Sequence, residues 1–497
     1  MSLSGYRVFK DRVRSDLLLK RVRVQFALEA RMRRFKTPNR DQLMLFPPNL
    51  NDWLGDNHPA HFVVDFVETL DLSKFYEEYG ESGDGQPPYD PKMMVAILLY
   101  ANMLGIFSSR KIERVLDDDI GFRYITSGLK PDHDTIAEFR HRHRNHLNDV
   151  FVGCVRLGVK AGIIRLNHVA IDGTKVQANA AQSARKTREQ LQQEIKYVKS
   201  LVGSYLDDSD KIDQEEDRQF GKGNNGYLLP EFLADPECRK EWIKQGLEEL
   251  NAQAEPKEPG DDEEPPDSPT NKGLKKKLKR LRKAEAALEE KEQKRKEEDP
   301  TGKRERDAQR KRGTPYVPKI NVTDPDSRTM LFRDGGYKDG FNCQIAVDNE
   351  IGMIVAADVT QDGNDARQLS PILLQVQANT DWLPDNVSAD TSYFNLEQME
   401  DRRFKSVEFY IAPRARGKNE GDRSKSEQMR TKLDTYIGRA VYAARKVIVE
   451  PVFGAIKHAR KFRQFLTRGK DMTKAEWTLI CTAHNLLKLY QFGLAFN

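Results

Sequence analysis

The chain has 497 residues, 38% hydrophobic and 32% charged, with a net charge of +5. That length suggests two to four folding units, and no run reaches the ~18 apolar residues that a spanning helix needs, so membrane functions are excluded. No secretory leader pattern opens it, and Cys154, Cys238, Cys343 and Cys481 are too scattered for metal-ligand spacing, so reduced, buried thiols in a cytoplasmic protein are expected.

Positive charge is unevenly placed. Residues 1–40 carry twelve Lys/Arg against three acids, and further basic clusters lie at 140–144, 272–283, 303–312, 414–418 and 457–470. A polyanionic partner is favoured; the alternative for any single cluster is a solvated helix face.

Residues 1–36 read as a basic helical extension, either a DNA-contacting arm or a segment the working protein does not need. Residues 37–150 read as an all-α domain. "PKMMVAILLYANMLG" has Pro91 at a helix start and Gly105 at its end. A second helix follows Ser108 or Ser109, with Ile112, Val115 and Leu116 as its apolar stripe. A third begins at Asp132 or Asp134, and Arg140, Arg142 and Arg144 crowd its end. Short helices closing on a basic one resemble helix-turn-helix DNA binders. His141, His143 and His146 fit a basic face better than a metal cluster, because helix positions two apart diverge.

Residues 181–315 form a charged detour. Leu191, Ile195, Val198, Val202 and Tyr205 are spaced four, three, four, three, and Leu274, Leu278, Leu281 and Leu288 fit the same heptad with Glu285 in the gap. Between them lie a mixed helical stretch around Trp242 and Ile243 and the linker "EPKEPGDDEEPPDSP". A helical, coiled-coil insertion is expected, the alternative being a charged, partly unfolded one.

With the detour removed, residues 151–180 and 316–491 alternate in an informative order. "HVAID" is a strand, "GFNCQIAVD" and "GMIVAADVT" a hairpin, "DARQLSPILLQVQAN" a helix capped by Asp365, "NVSAD" a strand, "LEQMEDRRF" a helix and "VEFYIAP" a last strand, before helices over 426–491. This order predicts an α/β, RNase H-like fold: a mixed five-stranded sheet flanked by helices, interrupted after its first strand.

Two strands end in acids, Asp172 and Asp390. If the strands are neighbours, their carboxylates converge and repel unless a cation lies between them. Oxygen-only ligation suits Mg²⁺ or Mn²⁺. Glu450 is the candidate third acid, expected to cap a helix starting at Pro451 because a residue before proline avoids the α region. Lys446 lies four residues before it and Lys457 seven after. A lone strand-end Asp is usually a turn former; this combination in a basic chain is not. No GxxxxGK[ST] loop is present.

The stretches "PPYDPKMMVAILLYANMLGIFSSRKIE", "PDHDTIAEFRHRH", "AIDGTKVQANA", "GFNCQIAVD", "SADTSYF" and "VEPVFGAIKHARKFRQFLTRG" together resemble bacterial insertion-sequence transposases of the DDE class, which share their catalytic fold with retroviral integrases. The resemblance implies that Asp172, Asp390 and Glu450 are catalytic and hold two Mg²⁺ (or Mn²⁺) ions. It implies that Tyr442, Arg445, Lys446 and Lys457 contact DNA at the cleavage site; Arg445 keeps the family spacing from Tyr442 and Lys446 that from Glu450, so both bases are candidates. Arg140, Arg142 and Arg144 would meet the terminal inverted repeats. Double-stranded DNA, both element ends and target, is the implied partner, bound by a homodimer or larger assembly in the bacterial cytoplasm at the nucleoid. Ser392 stands where glycine is commoner in the family. The alternatives are a nuclease of this fold that cuts without joining, and a DNA-binding protein descended from a transposase.

Overall fold

The computed structural model describes residues 49–79, 87–220, 240–241, 244, 271–313, 317–414 and 423–496. The expected basic helix at 1–36, the stretch around Trp242 and Ile243, the acidic linker and Cys238 lie outside these residues. The chain divides into two compact units, Met1–Trp53 and Leu54–Asn497. Of the first, the described part is 49–53, with the short helix Leu50–Trp53.

The second unit opens with seven helices: α1 (Pro59–Glu68), α2 (Ser73–Glu77), α3 (Pro91–Met103), α4 (Ser109–Asp118), α5 (Ile120–Thr126), α6 (His133–Arg142) and α7 (Leu147–Lys160). Their starts follow the side-chain chemistry. Asp90, Asp119 and Asp132 each accept a bond from a backbone N–H of the first turn, at Lys92, Phe122 and Thr135. Ser108 occupies the cap position of α4 without bonding through its side chain. Every residue of α3 from Met94 to Met103 is buried, so this helix is the centre of the layer and not an amphipathic cover.

A mixed sheet follows, built from β1 (His168–Gln177), β4 (Arg328–Leu331), β5 (Tyr337–Asp348), β6 (Ile354–Thr360), β7 (Asn386–Ala389) and β8 (Glu408–Ile411). It has six strands, not the expected five. The addition is β4, which pairs with the first residues of β5 while β6 takes the rest of the same edge. Along the sheet the order is β6–β5–β1–β7–β8, with β1 antiparallel to β5 and parallel to β7, and β7 parallel to β8. Helix α11 (Leu369–Thr380) lies over β5 and β6.

The detour leaves and rejoins through two short strands, β2 (Arg185–Lys186) and β3 (Ile320–Asn321), which pair antiparallel. Buried Asp339 of β5 ties this clasp to the sheet, accepting bonds from Arg185 Nε at 2.8 Å, Asn321 Nδ2 at 2.9 Å and Thr329 Oγ1 at 2.8 Å. Beyond the clasp, α8 (Arg188–Phe220) packs on α9 (Asn271–Glu298), and α10 (Lys303–Arg312) follows. Leu191, Ile195 and Val198 face Leu281, Ala284 and Leu288 in a separate small core. Ala284, not Glu285, supplies the inward position between Leu281 and Leu288, because a core between helices excludes an unpaired carboxylate.

Two C-terminal helices close the unit around the sheet. Helix α13 (Tyr436–Gly454) packs against β1, β7 and β8, and α14 (Lys470–Phe496) packs on β6, α3 and α7. The helical layer and the sheet therefore share one hydrophobic core. The cysteines it contains, Cys154, Cys343 and Cys481, are free and buried.

The placement of α13 depends on a sharp corner after α12 (Arg423–Asp434). Thr435 caps α13 by accepting from the Gly438 N–H at 2.9 Å. A Cβ on Gly438 would collide with the Lys432 carbonyl and the Leu433 backbone, which, unlike a side-chain tip, cannot rotate away. Gly438→Ala is expected to destabilise the fold by about 1–3 kcal/mol, read as a lowered denaturation midpoint; a midpoint equal to the parent's would show that this corner tolerates a side chain.

Candidate active site

Strand pairing brings two of the three expected acids together. Parallel β1 and β7 align Ile171 with Ala389, so Asp172 and Asp390 follow side by side at the same level of the sheet. Beyond β7 the chain turns at once: Asp390 Oδ1 accepts from the Ser392 N–H at 2.8 Å and caps the single 3₁₀ turn Thr391–Tyr393. Asp172 Oδ1 accepts from the Gly173 N–H at 2.8 Å.

The electrostatics are those of crowded negative charge. Burial pushes Asp172 up to about 6; the Gly173 N–H opposes this, Asp390 and Asp365 push further up, and Arg445 pulls down. The Arg445 guanidinium lies 3.6 Å from Asp172 Oδ2, both side chains being largely covered. Arg445 is thus turned onto a carboxylate, and its guanidinium is also 5.9 Å from the Tyr442 ring centre.

Glu450 is placed by a helix, α13, and not by the sheet. It is exposed, and it does not cap a helix beginning at Pro451, because α13 runs through both residues to Gly454. The bias against helix before proline is overridden by the apolar face of Ile448, Val449 and Val452, which is buried. Beyond Gly454 the helix widens into one π turn over Ala455–Ala459. Among the described residues no three His, Cys, Asp or Glu side chains form a ready cage for a metal.

The expected DNA-contacting residues separate. Lys446 is exposed on α13. Lys457 is tied to the site's own strand, its Nζ donating to Thr174 Oγ1 at 2.5 Å and the Lys175 carbonyl at 2.9 Å; burial pushes its pKa down. Arg140 turns inward: Nη1 donates to the Phe107 carbonyl at 2.9 Å, and burial lowers its pKa against the pull of Glu476. Arg142 pairs with Glu138 at 2.6 Å and lies over the Tyr79 ring, while Arg144 bonds the His141 carbonyl. The three arginines therefore do not form one basic row. His143 is no part of a basic face either, being enclosed by Phe75, Phe139 and Tyr79, and burial pushes its pKa down to about 4.

The surroundings of the acids are not legible in the sequence. Asp365 does not cap α11, whose first turn follows Gln368; it faces the acidic pair instead. Its Oδ1 accepts from the Asn342 and Gln344 amides of β5, each at 2.7 Å, and its Oδ2 from Ser392 Oγ at 2.9 Å. The only signal was its position among the polar residues "QDGNDARQ", which also suits an ordinary loop.

Asp172 is more basic in the folded chain than its ordinary value of 3.8. A raised carboxyl pKa costs stability fully above the folded value, and the cost fades as pH falls from about 6 towards 4. In chelator at pH 7.5, Asp172→Asn is expected to stabilise the fold by about 2–3 kcal/mol, with the gain vanishing near pH 4. Denaturation midpoints across that range check this; a variant less stable than the parent at pH 7.5 would contradict it.

Two family models match the chain, one described as Transposase domain over residues 48–142 and one as Transposase DDE domain over residues 317–486. The second match takes in Asp390 and Glu450, and Asp172 precedes it. No curated protein and no solved structure matches. Among the described residues, no helix is long and apolar enough to cross a membrane. The two matches together cover more than half of the chain, in the order helical layer then sheet, and the chain belongs to the DDE transposases of insertion sequences.

Proposed function

We propose that this protein binds the terminal inverted repeats of its element, cleaves the DNA there and joins the freed 3′ ends to target DNA, with Asp172, Asp390 and Glu450 as its catalytic acids. The observation that carries the reading is the pair Asp172 and Asp390, set side by side on neighbouring parallel strands, with Asp172 pushed up by burial and its acidic neighbours. β1 does not end at Asp172 as expected but runs on to Gln177 along β5, so that β7 alone ends at the acids. The donor chemistry fits a hard divalent cation: carboxylate oxygens only, in a place with more negative charge than Arg445 offsets. Asp172 and Asp390 would hold Mg²⁺ or Mn²⁺, with Glu450 the third ligand of a two-ion site. When bound, such ions supply Lewis-acid stabilisation of the phosphodiester and activation of water or a 3′-OH.

The chain's own groups do the rest. The Gly173 and Ser392 N–H groups fix the two carboxylates. Lys457 braces β1 just past Asp172 through Thr174, keeping a cation beside the path of a phosphate. Exposed Lys446 and the basic faces of α9 and α10 offer phosphate contacts away from the acids. Joining two ends calls for at least two protomers on DNA.

Supplying DNA with pre-cleaved 3′-OH terminal repeats and Mg²⁺ is expected to yield joined product. Asp172→Asn, Asp390→Asn and Glu450→Gln should each lower cleavage and joining by ~10³-fold or more. Cleavage without joining by the parent would favour a nuclease, and full activity of Glu450→Gln would remove that residue from the triad.

A further inference from the structure

Three acidic side chains, not two, face one another beside the middle of β1 and the end of β7. Asp365 comes from the segment leading into α11, and its two oxygens are used differently. Oδ1 is held from one side by the Asn342 and Gln344 amides, both 2.7 Å away. Gln344 is itself fixed, because the fully buried Tyr393 hydroxyl donates to its Oε1. Oδ2 lies 2.9 Å from Ser392 Oγ, and that hydroxyl is 2.5 Å from Asp390 Oδ1. Ser392 Oγ has one proton and both carboxylates accept from it, so the hydroxyl sits between Asp365, which is fixed from the sheet, and Asp390 as their shared donor.

Gly173 faces the same network. A Cβ there would lie 2.5 Å from Gln344 Nε2 and 2.8 Å from Asp365 Oδ1. The residue after Asp172 thus lacks a side chain where one would displace Asp365 from its two amide donors.

Building on the reading of Asp172 and Asp390 as cation ligands, we infer that Asp365 is a positioning residue for that site. It does not need to touch the cation. It shares the single Ser392 hydroxyl proton with Asp390, which seats Ser392 between the two carboxylates and keeps the ligand carboxylate in one rotation, and its own charge strengthens the field that favours a divalent ion. Outer carboxylates that orient a ligand in this way typically change metal affinity or activity 10–100-fold. Ser392 is then the coupling element between two acids and more than a substitute for a turn-forming glycine.

The test is Mn²⁺ binding to the full-length protein, read from the electron paramagnetic resonance of free Mn²⁺, alongside thermal denaturation in chelator. Asp365→Asn is nearly isosteric and retains an oxygen for the two amides, so it should fold. The expected result is a roughly 10–100-fold weaker Mn²⁺ affinity, a denaturation midpoint in chelator no lower than the parent's, and unchanged affinity for terminal-repeat DNA in chelator. Ser392→Ala should weaken Mn²⁺ binding in the same direction, and the double variant should be no worse than the weaker single one, since both act through one shared hydroxyl. A merely structural Asp365 would lower the midpoint and leave Mn²⁺ affinity intact, which would overturn the inference; so would additive losses in the double variant. Asp390→Asn separates the two levels. If it too binds Mn²⁺ as the parent does, the cation site itself is wrongly assigned; if it loses binding while Asp365→Asn does not, the positioning role alone fails.

Discussion

Parallel pairing of β1 with β7 is the constraint on which the rest of the site depends. Once Ile171 is opposite Ala389, the next residue on each strand is an aspartate, and two like charges are committed to the same partly covered space. Such an arrangement is unfavourable without compensation. The surrounding structure supplies that compensation in small parts: a backbone N–H for each acid, the Arg445 guanidinium reaching over from α13, and the serine between Asp390 and Asp365. None of these neutralises the pair fully, and Asp172 accordingly remains a weaker acid than a free aspartate.

The helical layer and the sheet that carries these acids are fused through one core. In the proposed function the acids can act together only if β1, β7 and α13 hold their relative positions within a fraction of an ångström. Helix α14 bridges from β6 to α3 and α7, and buried Glu476 on it accepts from the backbone of Leu466 and Thr467 while facing the charge of Arg140. The inward turn of Arg140 is part of this bracing, and it removes from the surface a charge that looks, on a helical wheel, available to DNA.

Much of the frame was legible in the chain itself. Asp172 and Asp390 could be picked out because strand alternation and strand ends are local properties. Pro91 marked a helix start and Asp132 or Asp134 a cap for the same reason, and the detour stood out by its charge and heptads; that Asp90 caps the Pro91 helix shows only in the structure. What escaped were features set by partners far away in sequence. β4 is too short and too polar to announce itself, and becomes a strand only because the first residues of β5 leave an edge to fill. Asp365 takes its role from amides more than twenty residues earlier and a hydroxyl 27 residues later. His143 looked like one of a row of cations but is enclosed by rings from α2 and α6. At Glu450 a sound local rule about proline was outweighed by the burial of the three apolar residues around it.

The clasp of β2 and β3 has a consequence for how such a protein can change. The chain departs at Lys186 and returns at Ile320, and these two residues are direct partners across one ladder. The described helices between them are held at a closed stem whose first ladder residue, Arg185, lies thirteen residues beyond Asp172, with further ties from Glu298 to Arg367 and from Lys283 to Asp326. The sheet and the arm are free to evolve at different speeds, much as a handle can be replaced without recutting the blade it carries.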